Sequence, residues 1–228
     1  MEFLTSPRLA GIRGLVHGFG RRVAGPRAVA RASARATFEH AGDMFFLRQV
    51  HGCAVASPPW VEPPDADASL AGDEGALLAI ETADCLPVLI VDPAKRRVAA
   101  AHAGWRGTAA GVTRAAVRAL VAAGSDPRQL VAALGPAIGP CCYEVGAEVE
   151  EAFGKAGSRF FVPGERGRKH LDTAAANQAQ LEEMGIDRAN IERVEFCTRC
   201  REDLFFSYRR DGAAAGRMIS VVGFSRPA

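Results

Sequence analysis

Between Ala76 and Ala101 three short apolar runs follow one another: Ala76 to Glu81, Leu86 to Val91 and Val98 to Ala101. They are too short for ordinary helices and carry β-branched residues, so each is predicted to be a buried strand. Asp92-Pro93 supplies the turn between the second and third. This stretch constrains the chain more than any other. It must lie inside a sheet, and it puts Cys85 at a strand junction and His102 at a strand end.

The remaining pattern is less regular. Ile12 to Phe19 reads as a strand, followed by a turn containing glycine and arginine. Ala28 to Glu39 is alanine-rich and predicted helical. Met44 to Val50 reads as a strand leading into His51. Residues 57–74 hold four prolines and five acidic residues and are expected to form a surface loop, with no composition shift that marks a domain linker. Gly107 to Ala123 reads as a helix that puts Arg114 and Arg118 on one face and Val112, Ala116 and Leu120 on the other, ending at Gly124. Val131 to Leu134 is a further strand, followed by an irregular loop, Gly135 to Gly146, stiffened by two Gly-Pro steps. Ala147 to Phe153 is a short helix, and Asp172 is placed to cap another that runs to Met184, with Gly185 at its end. Val194 to Phe196 and Arg217 to Gly223 read as closing strands. No internal repeat is present. Strands outnumber helices without strict alternation, which predicts an α+β fold, one domain over residues 1–228 with mixed sheets flanked by helices.

Composition narrows the function. With 228 residues there is ample material for a core. A net charge of +2 gives no reason to expect nucleic acid or an anionic membrane as partner. No apolar run approaches the roughly 20 residues that span a bilayer. The opening Met1-Glu2-Phe3-Leu4-Thr5-Ser6-Pro7 lacks the order of a signal peptide, so a cytoplasmic enzyme is expected. The six cysteines are then better read as metal ligands or buried thiols than as disulfides.

Two histidines and one cysteine lie in compact segments: Arg48-Gln49-Val50-His51-Gly52, Thr82-Ala83-Asp84-Cys85 and His102-Ala103-Gly104-Trp105-Arg106-Gly107. Imidazole and thiolate form a zinc ligand set, and three ligands leave one position open for water or substrate. The alternative is three unrelated residues, because they are far apart in sequence. Asp84 is either a partner that orients or accepts a proton, or a turn residue bonded to its own backbone. Strand parity turns Arg48 away from His51 unless the chain bends between them. Arg106 lies near a helix start and suits an oxyanion or phosphate, or else a surface ion pair. Cys197-Thr198-Arg199-Cys200 suggests redox chemistry or half a zinc knuckle, but it has no second C-x-x-C and is read as local packing. Cys141 and Cys142 are adjacent, so at most one is expected to face a site. His17 is a candidate strand-end contact, and His40 and His170 are expected in exposed loops. Phe205 to Gly212 is either a strand edge entering an Asp-Gly turn or a wall for base stacking with an anion clamp.

At these segments the chain resembles the laccase-domain family, also called multicopper polyphenol oxidase-like and peptidoglycan editing factor. The likeness is carried by Val16-His17-Gly18-Phe19, the three segments above with Leu86-Pro87-Val88, Gly135 to Gly146, Cys197-Thr198, Phe205 to Gly212 and Gly216-Arg217-Met218. It implies zinc bound by His51, Cys85 and His102, and a fold like that of a toxin deamidase. It also implies phosphorolysis of purine nucleosides (adenosine, inosine or guanosine plus phosphate giving base and ribose 1-phosphate), with adenosine deamination and methylthioadenosine cleavage as related activities. The expected site is then Asp84, Cys85 and Arg48 for catalysis, with substrate bound by Arg48, Arg106, Tyr143 and Phe206. The family often follows His-Gly-Phe with Ser-Thr-Arg and a Gly-Gly pair. Gly20-Arg21-Arg22-Val23-Ala24-Gly25 departs from that pattern.

Three other readings remain. A copper polyphenol oxidase shares a His2Cys ligand set, but it needs a histidine cluster, and only His17, His40 and His170 remain for one. A Cys85–His102 hydrolase or deamidase would work without metal. An editing factor for peptidoglycan precursors would need only a cleft.

Overall fold

The computed structural model describes residues 2–72, 74–164 and 167–226. Met1 of the N-terminal segment and Asp73 of the acidic 57–74 segment lie outside them. The architecture is mixed α+β. A six-stranded sheet runs in the order Ile191–Arg193, Val131–Leu134, Leu86–Asp92, Arg97–Ala103, Ala68–Ala71, Val55–Ala56. Its two outermost pairings are parallel and the three between them antiparallel. A five-stranded sheet runs Phe3–Leu4, Leu15–Gly20, Met218–Phe224, Ala76–Thr82, Asp43–Phe46, parallel only at the last pairing. A small antiparallel sheet joins Glu144–Val145, Lys169–Leu171 and Phe161–Pro163.

The two large sheets stack face to face. Leu89, Val91, Val98, Ala100 and Ala133 of the first meet Leu78, Ile80, Val222 and Phe224 of the second. Alternate residues of the same strands point outward, as a two-residue period requires. On one outer face Val88, Ile90, Ala99 and Ala101 pack on Val112, Ala116, Val117 and Leu120 of helix Val112–Ala122. On the other, Leu77, Ala79, Ile219 and Val221 pack on Ala30, Ala34 and Phe38 of helix Arg27–Phe38. The result is a helix–sheet–sheet–helix stack. Strands covered on both sides have no solvent face, which is why the 76–103 runs are apolar at successive positions rather than at alternate ones.

Several expectations need correction. Ala68–Ala71 is a buried strand inside the segment read as a surface loop, paired along Arg97–Ala103. Prolines and acidic residues dominate that window, and Ala-Ser-Leu-Ala lacks the β-branched signal. The helix read as Gly107 to Ala123 is two helices, Trp105–Ala110 and Val112–Ala122, separated by Gly111 in the left-handed region at φ 84°. The strand before His51 stops at Phe46. The strand placed at Val194 to Phe196 is Ile191–Arg193. Phe205 and Phe206 are buried, but the chain then enters a short helix, Tyr208–Asp211, because Ser207 Oγ caps it by accepting from Arg210 N at 3.2 Å. His17 lies buried within a strand and accepts from Ser6 N at 2.9 Å. His170 lies on the small sheet, with Nδ1 2.5 Å from the Pro140 carbonyl. Among the described residues no helix is long and apolar enough to cross a membrane.

Candidate metal centre and its pocket

Two strand ends and one turn carry the central residues. The chain leaves Phe46, turns through Leu47–Val50 and places His51 at φ 62°, a left-handed conformation uncommon for a residue with a side chain. Three backbone N–H groups hold it there by donating to one buried carboxylate: Val50, His51 and Gly52 to Asp67 at 3.0, 2.9 and 2.7 Å. Cys85 immediately precedes the Leu86–Asp92 strand and follows Asp84 at φ 85°. His102 is on the Arg97–Ala103 strand and 3% exposed. Gly104 follows it. A Cβ there would lie 3.0 Å from both Cys85 Sγ and His51 Cδ2, so only glycine lets the three segments close up.

One ligand atom from each of His51, Cys85 and His102 lies within 4.8 Å of the others. Cys85 Sγ is 4.0 Å from His51 Nε2. Asp67 takes the Nδ1 side of His102 at 2.8 Å, which leaves Nε2 as the metal-facing nitrogen. Burial alone would raise the Cys85 thiol, but hydrogen bonds from His102 and His51 outweigh it and bring its pKa down to about 6. Burial alone would lower the His102 pKa, but Asp67 and Cys85 raise it to about 9. Asp67 itself is held below its ordinary value, because the bonds from His102 and Gly52 exceed the burial penalty. A half-buried thiolate, two imidazoles and a carboxylate behind one of them fit a tetrahedral dication with an open position.

The trio forms the floor of a cavity of about 550 Å³, within the size range of small-molecule sites. Arg106, Arg27, Arg209 and Arg217 bring positive charge, and Trp105, Tyr143 and Tyr208 bring aromatic surface. Tyr143 is held as a phenol, its pKa raised by burial and then by the charges of Cys85 and Asp84. The Arg209 guanidinium lies 5.2 Å from the Tyr143 ring centre. Gln49 braces the wall by a reciprocal pair with the Glu81 backbone, both bonds 2.8 Å. The buried Glu81 carboxylate receives Arg27 and Arg31.

The structure brings together His51, Cys85, His102, Asp84, Arg106 and Tyr143 from the expected set. It does not bring in Arg48, which pairs with Asp65 on the exposed side of a bridge between those two residues. The Arg48–Asp65 bridge and ion pair hold it there. Phe206 belongs to an adjoining cavity with Arg22 and Gly216, and Arg22 lies 4.9 Å over its ring. Asp84 is fully engaged: Oδ1 accepts from Thr198 Oγ1 at 2.6 Å, and Oδ2 from Ser207 Oγ at 3.0 Å and Arg209 N at 2.7 Å. Sequence reasoning missed Asp67, Gln49, Glu81, Trp105, Arg27 and Arg217, while Tyr208 and Arg209 lie in the Phe205 to Gly212 segment read as a candidate stacking wall and anion clamp. Gln49 and Trp105 sat inside the motif segments and had the most direct signal. In the altered 20–25 loop, Arg21 and Arg22 turn to Glu2 and the Glu202 carbonyl, and Arg27 is the arginine that reaches the metal pocket.

Comparison with known proteins gives one family whose members carry different activity names. Purine nucleoside phosphorylase of Deinococcus radiodurans is 40% identical over 205 residues, covering 88% of this chain and 79% of that protein. Adenosine deaminase RL5, from an unknown prokaryotic organism, is 37% identical over 195 residues, covering 79% and 74%. The crystal structure of YlmD from Geobacillus stearothermophilus superposes with a TM-score of 0.86 at 29% identity, over 97% of this chain and 94% of that one. Residues 21–225 match the model of the multi-copper polyphenol oxidoreductase laccase family, and this chain belongs to that family.

Proposed function

We propose that this protein is a zinc-dependent purine nucleoside phosphorylase. The observation that carries the reading is the open His51–Cys85–His102 triangle, its His102 oriented by Asp67, at the floor of a cationic and aromatic pocket. Relatives named purine nucleoside phosphorylase support it. Zinc held by these three residues supplies a Lewis acid for a phosphate or substrate oxygen. Asp67 keeps His102 in the tautomer that presents Nε2. Arg106 and the guanidinium of Arg217 hold phosphate charge in the same cavity. The Trp105, Tyr143 and Tyr208 rings bind the purine and exclude water around the glycosidic bond. Asp84 accepts three hydrogen bonds from Thr198, Ser207 and Arg209 that fix it in the wall. It positions the Thr198–Arg209 wall, so its role is orientation.

The histidines left over support zinc over a copper oxidase. His17 is bonded to Ser6, His40 is exposed and His170 is bonded to Pro140, so none joins a cluster with another. The low Cys85 and high His102 pKa values favour one second reading, a thiolate–imidazolium pair acting without metal.

The test is to incubate the purified protein with adenosine, with and without phosphate, before and after zinc removal. Phosphate-dependent release of adenine that disappears with zinc and returns on its readdition is the expected result. Inosine formation would move the assignment to deamination, and activity that survives zinc removal would move it to the cysteine mechanism.

A further inference from the structure

Four cysteines remain outside the pocket, and the fold collects them. Cys141 and Cys142 lie in the loop after strand Val131–Leu134, and Cys197 and Cys200 in the turn after strand Ile191–Arg193. Those strands pair in parallel, and the ladder continues past their ends. Ala137 bridges Cys197, with Ala137 N donating to the Phe196 carbonyl at 3.3 Å and Thr198 N to the Ala137 carbonyl at 3.0 Å. The turn at Gly139, where Cys142 N and Tyr143 N both donate to its carbonyl, folds the adjacent pair back toward the other two. The expectation that at most one of Cys141 and Cys142 faces a site is therefore wrong for the chain as folded.

All four sulfurs lie within 4.8 Å of one another. Cys142 Sγ is 3.3 Å and Cys141 Sγ 3.8 Å from Cys200 Sγ. A tetrahedron with zinc–sulfur bonds of 2.3 Å has sulfur–sulfur edges of about 3.8 Å. We propose that Cys141, Cys142, Cys197 and Cys200 bind a second zinc ion, structural and fully coordinated, distinct from the open centre at His51, Cys85 and His102.

Two further observations support this. Gly139 N donates to Cys197 Sγ at 3.3 Å, and the Cys200 backbone N–H also faces that sulfur. Backbone N–H groups aimed at sulfur stabilise a thiolate, the form that binds metal. Positive charge lies where a four-thiolate site with net charge −2 needs it. The Arg199 guanidinium bonds to Cys142, and that of Arg210 holds the turn through the Thr198 and Arg199 carbonyls at 3.3 and 3.2 Å.

The site has a mechanical consequence for the pocket. One pair of ligands anchors the loop that carries Tyr143. The other anchors the segment that carries Thr198, and Thr198, Ser207 and Arg209 bind Asp84. The ion therefore clips two pocket walls together from outside, without touching substrate.

The test is a metal count on the full chain. The protein is reconstituted with zinc chloride, freed of excess by gel filtration and assayed for zinc and titratable thiols. Wild type is expected to hold two zinc ions per chain, Cys197→Ser/Cys200→Ser one, and Cys85→Ser one. Cobalt(II) in the wild type should give the intense visible bands and sulfur-to-cobalt charge transfer of a four-thiolate site, and Cys85→Ser should keep them. The double variant should raise KM for nucleoside several-fold with a smaller change in kcat. A Cys85→Ser chain that holds no zinc, two zinc ions retained by the double variant, or a thiol count showing two disulfides in place of metal would each overturn the proposal. The cobalt spectrum decides it if the double variant does not fold, since it needs only wild type and Cys85→Ser.

Discussion

The two clusters of ligands sit in opposite settings. Cys85 and His102 stand at the ends of strands that form the buried centre of the stack, His51 stands in a turn pinned by Asp67, and that fully buried carboxylate also locks His102. Cys141, Cys142, Cys197 and Cys200 lie on loops, two of them exposed, brought into register by a single bridge beyond a strand pair. The difference separates a site for chemistry from a site for shape. Three ligands held by central strands and a buried carboxylate keep an open coordination position without collapsing into it. Four ligands on loops close around an ion, and the loops take their order from it.

The largest expected effect comes from breaking the strand-borne cluster. Cys85→Ser or His102→Ala should cost about 10³-fold or more in turnover, the scale of several kcal/mol of Lewis-acid stabilisation, while the cobalt bands of the loop cluster persist. If turnover survives and metal at the centre is gone, the pocket works by another route. Asp67→Asn comes next. An amide still accepts from His102 Nδ1 but no longer draws three backbone N–H groups with a full charge. Metal affinity at the centre should fall by about 10–100-fold, read by competition with a chromophoric chelator, with the loop site unmoved.

How much of this was legible in the sequence differs between the same two regions. The strands at 76–103 and 131–134 were readable because residues buried on both faces leave an unbroken apolar signature, and Cys85 and His102 inherit their positions from those strands. Asp67 was hidden because its strand, Ala68–Ala71, is small-residue and follows a run of prolines and acids. Its value lies in contacts to residues 16 and 35 positions away, 51 and 102, which no local pattern encodes. The cysteine cluster was misread for a related reason. Side-chain divergence at adjacent residues holds for extended chain, and the Gly139 turn removes that premise. Ligand spacing of 55 residues between the two pairs matches no short zinc pattern, because the parallel strand pairing, not the sequence, brings them together.

A smaller effect is expected at Glu81, which stiffens the strand-borne side. Burial would raise its carboxyl, but the bonds from Arg27 and Arg31 outweigh that and hold it below the ordinary value. A depressed folded pKa contributes stability that is fully present above the ordinary carboxylate range and is lost as pH falls through the depressed value. Thermal melts of wild type should therefore decline over that acidic window. Glu81→Gln should be less stable at neutral pH and show a flatter decline. Parallel curves for the two proteins would remove Glu81 from the account of why this region is rigid.

The smallest effect is expected at Arg48, three residues before His51 and the most tempting phosphate ligand by position. Its partner is Asp65, its side chain is 70% exposed, and it is absent from the pocket lining. An exposed pair of this kind contributes little to stability and is screened by salt. Arg48→Ala should leave zinc content unchanged and kcat/KM within about twofold of wild type, whereas Arg106→Ala should raise KM for phosphate by roughly tenfold, the loss of one charge-assisted contact. If the two variants behave the other way round, the anion enters along the Asp65 side of the strand. The cationic wall at Arg106 and Arg217 would then serve the nucleoside instead.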